Sequence, residues 1–403
     1  MLSRMRHDRR SSMTIAALSI IWLASASPFP ALHFGCNTTG PENATQLREL
    51  RRYAMPILEF RQGCCGGQPW TNAERNMELQ AEALAAAAAP AAVGGTGTAA
   101  AWVYRNANAG SVFAQQRDFM RGHDSYFTGP PSVDPKYNIS WRALNFSVPA
   151  AAEWYLGTVV AEAAAEGAAV AGVFFDAIDC TGGSGRSARL YNDTLATFAR
   201  ACLALEAAGK GCILSTVNSF SSSRSTEATG CVLPEEAAVE VLHAHGLARW
   251  ARYYQHWANG FVGHKKDDSG GGGSFDARRC AAMVRNAVEE SRRGIDIVAR
   301  APAQNSVYAV DLRVALAAFL MGASAPYGAG GSAAAASSSF GYGDCWFDEC
   351  WTWQPLYDEL GDIGAPLGPA SVSDDGWSFS RSWTSVDVVV DCRHANASFS
   401  LRL

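Results

Sequence analysis

The segment Val173-Phe174-Phe175-Asp176-Ala177-Ile178-Asp179 sets a carboxylate where a short, unbroken apolar run stops. A carboxylate at the end of a buried strand is held on a rigid element, as an acid, base or nucleophile requires. Asp179 falls on the following loop and can share that site. The competing reading makes Asp176 a helix cap or the partner of a neighbouring strand-end arginine. Hydrolysis of a glycosidic bond usually takes two carboxyl groups, about 5 Å apart for retention and wider for inversion. The partner of Asp176 stays open at this level. Glu59 stands near the end of an earlier apolar run, though Arg61 follows it. Glu235 and Glu236 read better as first-turn residues of a helix that follows Pro234.

Other residues supply binding groups rather than acids. Tyr104, Arg105 and Asn106 close one apolar run, Asn218 closes another and Arg300 a third. Tyr253-Tyr254-Gln255-His256-Trp257 offers aromatics and His256, which acts on a hydroxyl or sits structurally beside the rings. In Cys345-Trp346-Phe347-Asp348-Glu349-Cys350-Trp351-Thr352-Trp353, Trp346 and Trp351 offer flat faces for sugar rings or for packing, and Asp348 and Glu349 are outside candidates for the second carboxylate. Thr181-Gly182-Gly183-Ser184-Gly185-Arg186-Ser187 lacks both the P-loop ending and the dinucleotide spacing. Neither a G-x-S-x-G elbow nor H-E-x-x-H occurs, and His243-Ala244-His245 is too isolated to hold a metal. No cofactor and no metal are expected.

These side chains need strands to carry them. Met55–Phe60, Ala99–Tyr104, Val170–Phe175, Cys212–Val217, Trp250–Tyr254 and Ile295–Ala299 are the strand candidates. Glu153–Glu166, Asp193–Ala208, Glu235–His243, Phe275–Arg293 and Val310–Met321 carry helical spacing. Continuous apolar strands, each followed by a helix, imply a parallel sheet buried on both faces. Seven or eight such units in about 300 residues fit an α/β (β/α)8 TIM barrel better than an open sheet. The strand-end polar residues would then meet at the C-terminal face. Residues 51–370 are assigned to the barrel, 27–50 to an N-terminal segment and 371–403 to an added β extension, in which Trp377–Leu403 reads as a strand pair. Ala85–Ala92, Gly270–Gly273 and Ser332–Ser339 are low-complexity stretches, the last two read as loops.

The 403 residues carry a net charge of −5 with no long basic block, so no nucleic-acid partner is expected. Arg4, Arg6, Arg9 and Arg10, an apolar stretch Ile15–Leu23 and Ala24-Ser25-Ala26 lay out a secretory leader cleaved after residue 26. A signal anchor is the competing reading, because Met13–Phe34 holds no Asp, Glu, Lys or Arg; Ser27, Pro28 and Pro30 shorten that stretch below the roughly 20 residues of a span. The mature chain is therefore read as secreted and without a membrane span. Six N-x-S/T sequons begin at Asn37, Asn43, Asn138, Asn145, Asn192 and Asn396, and 11 cysteines favour disulfides over zinc, with the pairing open.

With these residues in hand, the chain resembles the glycoside-hydrolase-like TIM-barrel proteins, in particular the hypothetical glycosyl-hydrolase-like family 15 group. The resemblance rests on Val103-Tyr104-Arg105-Asn106, Gly172-Val173-Phe174-Phe175-Asp176, Ser215-Thr216-Val217-Asn218 and Ala317-Ala318-Phe319-Leu320-Met321-Gly322-Ala323. It continues through Trp353-Gln354-Pro355-Leu356-Tyr357-Asp358-Glu359-Leu360-Gly361, Pro366-Leu367-Gly368 and the strand region around Arg381. It implies a barrel acting on carbohydrate, with Asp176 as the acid of the fourth strand. Such barrels place a further acid at a later strand end, where this chain has Gln255-His256 and Arg300. Two readings follow: a hydrolase of O-glycosidic bonds, or a carbohydrate-binding barrel without turnover.

Overall fold

The structure, a computed structural model, describes residues 29–34, 42–60, 72–87, 100–134, 138–178, 188–215, 235–254, 257, 275–301, 311–324, 338–342 and 353–402. The strands in chain order are β1 (Leu32–Phe34), β2 (Met55–Leu58), β3 (Ala101–Asn106), β4 (Asn108–Gly110), β5 (Ser132–Asp134), β6 (Ile139–Ala143), β7 (Val170–Asp176), β8 (Gly211–Ser215), β9 (Trp250–Tyr254), β10 (Ile295–Ala301), β11 (Ser339–Tyr342), β12 (Ser371–Val372), β13 (Ser378–Ser382), β14 (Val386–Asp391) and β15 (Asn396–Leu401). Eight of them pair in the order β1-β2-β3-β7-β8-β9-β10-β11, every neighbour parallel. A parallel bridge Ala31↔Phe340, with Phe340 N donating to Pro30 O at 2.8 Å, joins the two ends of the sheet. The fold is a (β/α)8 TIM barrel.

The helices are α1 (Ala44–Leu50), α2 (Ala73–Ala87), α3 (Ala114–Met120), α4 (Pro149–Trp154), α5 (Ala161–Ala165), α6 (Ala188–Ala207), α7 (Glu235–Ala244), α8 (Ala277–Arg292), α9 (Leu312–Gly322) and α10 (Pro355–Leu360). The helix expected over Glu153–Glu166 is α4 and α5 joined by a π-helical stretch, Tyr155–Val160. Among the described residues, no helix is long and apolar enough to cross a membrane.

Alternation sorts the strand residues into two faces. Trp102, Tyr104 and Asn106 share the inner face with Gly172, Phe174 and Asp176, their partners in the β3–β7 register. Trp102 fills the barrel because its neighbours lack side chains there: a Cβ on Gly172 or Gly211 would stand 2.4 or 2.2 Å from the indole. The outer face meets the helices. Phe175 lies edge-on to Phe198 of α6 at 5.1 Å, and Cys212 is disulfide-bonded to Cys202 of the same helix.

Two barrel strands were not foreseen. β1 lies within the segment read as preceding the barrel, and β11 begins at Ser339, inside the expected Ser332–Ser339 loop. Both are too short to show a pattern of their own and are held by long-range pairing. The β3 crossover also carries an antiparallel sheet ordered β4-β6-β5. At the C-terminus, the expected strand pair is a four-stranded antiparallel sheet, β12-β13-β14-β15. Its buried face (Phe379, Val386, Val388 and Val390) belongs to one core with α9. Arg381 donates to the carbonyls of Leu320, Met321 and Ala323 at 3.1, 2.9 and 2.6 Å, capping the end of that helix. Burial of its guanidinium lowers the pKa to about 10.

Candidate active site

Asp176 ends β7, the fourth barrel strand, and its carboxylate is half exposed at the C-terminal mouth. The backbone around it is fixed from two sides. Asp176 O accepts Ala107 N at 2.9 Å, and the next residue, Ala177, holds φ +60°, a left-handed conformation that costs a non-glycine residue energy.

The carboxylate is oriented by a chain of hydrogen bonds. Tyr104 donates its hydroxyl to Asp176 Oδ2 at 2.8 Å. Asn106 Nδ2 donates to the Tyr104 oxygen at 2.5 Å, while Asn106 Oδ1 accepts Asn108 N at 2.7 Å. That last bond decides which way the amide faces, and so makes the tyrosine hydroxyl the donor toward Asp176. Tyr155 braces the strand by donating its hydroxyl to Asn106 O at 3.0 Å. Tyr104 and Asn106 are buried, so the carboxylate is the accessible end of the chain.

Glu59 is the second acid near this hydroxyl. The β2–β3 register ends at Leu58↔Val103, and one more step sets Glu59 beside Tyr104. Burial pushes the Tyr104 hydroxyl well above its ordinary pKa; Asp176 and then Glu59 add to that effect by their charge. The phenol thus stays protonated in the field of the two carboxylates.

Aromatic rings floor the mouth. Tyr104 packs on Phe60 and Phe174 at 5.1 and 5.8 Å, and Phe174 meets Tyr253 edge-on at 4.9 Å. Trp141, a half-buried residue of β6, stands edge-on to Phe60 at 5.6 Å. Trp141 escaped the sequence reading. It arrives from the short crossover sheet, and nothing in Asn138-Ile139-Ser140-Trp141 marks it as reaching the barrel.

The expected site residues divide into four groups. Glu59, Tyr104, Asn106 and Asp176 are brought together. Arg300 is buried on β10, on the inner face by its alternation with Val298, which pairs with Tyr253. Arg105 lies on the other face of β3. Its guanidinium ion-pairs with Glu166 at 2.5 Å and donates to Tyr104 O at 2.9 Å, away from the mouth. Arg105 also faces Glu162, whose carboxyl is pushed up to about 6, chiefly by burial. Asp179, Asn218, His256, Trp346 and Trp351 lie outside the described residues, as do Cys345 and Cys350.

Among the described residues two cysteine pairs are bonded, Cys202–Cys212 and Cys280–Cys392. No family model matches the sequence, and no curated protein matches it. Among solved structures, that of Aspergillus fumigatus Ega3 in complex with galactosamine is similar, with a TM-score of 0.39 and 9% identity, covering 79% of this chain and 93% of that one. A likeness at that level adds nothing to what the strand order establishes.

Proposed function

We propose that this chain is a secreted glycoside hydrolase that cleaves O-glycosidic bonds of an oligo- or polysaccharide. The observation that carries the reading is the carboxylate of Asp176 at a barrel mouth, held by the buried Tyr104 hydroxyl, with the buried carboxyl of Glu59 near the same hydroxyl. Two carboxyl groups flanking a bond are the usual apparatus of this reaction. Asp176 serves as acid/base or nucleophile and Glu59 as its partner. Tyr104 keeps its proton and holds Asp176 in place. Trp141 offers a ring face to a sugar and Arg300 binds hydroxyls, while Asp179, Asn218, His256, Trp346 and Trp351 keep the site roles expected of them from the sequence. Arg105 takes no direct part, because Glu166 occupies its guanidinium. The resemblance to the glycosyl-hydrolase-like family 15 group supports the substrate class. The leader, the sequons and two disulfides support secretion.

A second reading, a barrel that binds carbohydrate without turnover, is favoured by one observation. Among the described residues, β8, β9 and β10 end on Ser215, Tyr254 and Arg300-Ala301, none of them an acid. The test is a panel of polysaccharides assayed for new reducing ends. Asp176→Asn should lower turnover about 10²–10⁴-fold while leaving the melting temperature and sugar binding in place. Undiminished hydrolysis by that variant removes Asp176 from the mechanism. Binding without hydrolysis by the parent protein leaves the second reading standing.

A further inference from the structure

We infer that Asn43, Asn138 and Asn396 carry asparagine-linked oligosaccharides in the mature protein and that Asn192 does not. The inference rests on the secretory part of the proposed function, since only that route supplies the donor. The donor is a lipid-linked oligosaccharyl diphosphate. Asn Nδ2 forms a bond to the anomeric carbon, the bond from that carbon to the diphosphate breaks, one Nδ2 proton is lost, and the lipid diphosphate leaves.

The sequons are equal as sequence, and the fold separates them. Asn43 is exposed and caps α1: its Oδ1 accepts Thr45 N and Gln46 N at 2.9 and 3.1 Å. The cap uses the amide oxygen, so a glycan on the nitrogen leaves those two bonds intact. Asn396 opens β15 at the turn from β14, exposed, with its Oδ1 accepting Ala397 N at 2.9 Å. Here too the amide oxygen is the engaged atom, and Ser398 of the same sequon is exposed. Asn138 is exposed at φ +52°, at the turn into β6, so its side chain stands clear of the crossover sheet.

Asn192 is different in kind. It lies within α6, and its Oδ1 is enclosed by protein. Thr194, the hydroxyl residue of its sequon, is fully buried and donates to Leu190 O at 2.7 Å. The neighbouring Tyr191, Leu195 and Phe198 seat this helix in the core. Asn192 is itself half-buried, and with its Oδ1 enclosed the amide nitrogen is held close to the packed face of α6, so a sugar chain on it would disturb that packing. Asn37 lies outside the described residues and Asn145 is half-buried, and the inference is confined to the other four.

The experiment is expression of the full chain in a eukaryotic secretory host, recovery from the medium, and peptide mass spectrometry after amidase deglycosylation. Asn43, Asn138 and Asn396 should be converted to Asp and Asn192 should remain Asn. On a gel, Thr45→Ala, Asn138→Gln and Asn396→Gln should each remove one glycan step, and Asn192→Gln none. Thr45→Ala abolishes the Asn43 sequon while leaving the Asn43 cap in place. A glycan on Asn192, or any of the other three bare in secreted protein, overturns the inference while secretion stands. Retention of the chain in the cytosol with every sequon bare overturns the secretory reading itself, and this inference with it.

Discussion

Tyr104 donates to one candidate acid, Asp176, and lies near the other, Glu59, and its hydroxyl can be removed without changing the ring. Tyr104→Phe keeps the packing on Phe60 and Phe174 but deletes the donor to Asp176. A hydrogen bond to a charged group contributes roughly 1.5–3 kcal/mol, so kcat/KM on the substrate found in the panel should fall about tenfold to a hundredfold. Thermal melts should move by only a few degrees. A melt that collapses together with activity would make the tyrosine a packing residue instead. Asp296 gives a second, independent prediction. This inner-face residue of β10 is buried, and that burial raises its carboxyl from 3.8 to about 6, against the weaker opposing effects of Ser324 and Arg249. The folded chain therefore holds this proton more tightly than the unfolded chain. Its contribution to stability is complete below about pH 4 and is lost as pH rises through about 6. A shift of that size corresponds to about 3 kcal/mol at neutral pH. Asp296→Asn should raise stability at about pH 7.5 relative to about pH 4.5, read from urea melts at both. Equal effects at the two values would place the carboxyl in water.

At the level of elements, the barrel is filled by one large ring meeting two glycines. Gly211→Ala sets a methyl group 2.2 Å from the Trp102 indole with no room to retreat, and should cost about 1–3 kcal/mol. Trp102→Phe should cost stability alone, yet should recover part of the Gly211→Ala loss in the double variant; strictly additive losses in denaturant melts would refute the contact. The same alternation that makes this prediction explains what could be read beforehand. Six apolar runs gave the central strands to within a few residues, because a strand buried on both faces writes an unbroken hydrophobic stretch. Period two also separates Tyr104 and Asn106 from Arg105, so the opposite facing of Arg105 was legible once β3 was placed. Two further features were not. Pairing of Asn106 with Asp176 joins residues that no local pattern links. Whether Arg105 would find an anion depended on Glu166, at the end of a helix interrupted by a π-helical stretch. β1 and β11 were hidden for a related reason: three or four residues carry too little periodicity, and their strand character comes from neighbours.

On the scale of the whole molecule, the C-terminal sheet is tied to the barrel covalently as well as through Arg381. Cys280 of α8 is bonded to Cys392, just past the end of β14, with Cα atoms 5.5 Å apart and a sequence separation of 112. A cross-link closing so long a loop restricts the unfolded chain strongly. Replacing both cysteines by Ala should cost about 2–5 kcal/mol. Hydrogen exchange should show β12–β15 losing protection first in that variant, with β3, β7 and β8 holding theirs. Uniform loss across both regions would mean that the sheet and the barrel unfold as one unit. The bridge between Ala31 and Phe340 has a consequence of another sort. During synthesis the earliest stave emerges long before the one that must lie against it. Until the ribosome has delivered Phe340, the nascent sheet is a half-pipe with two raw margins, open to pairing with any other extended segment. Rapid, crowded production should therefore yield aggregates seeded by incomplete chains, and slowing translation ahead of Phe340 should make them worse.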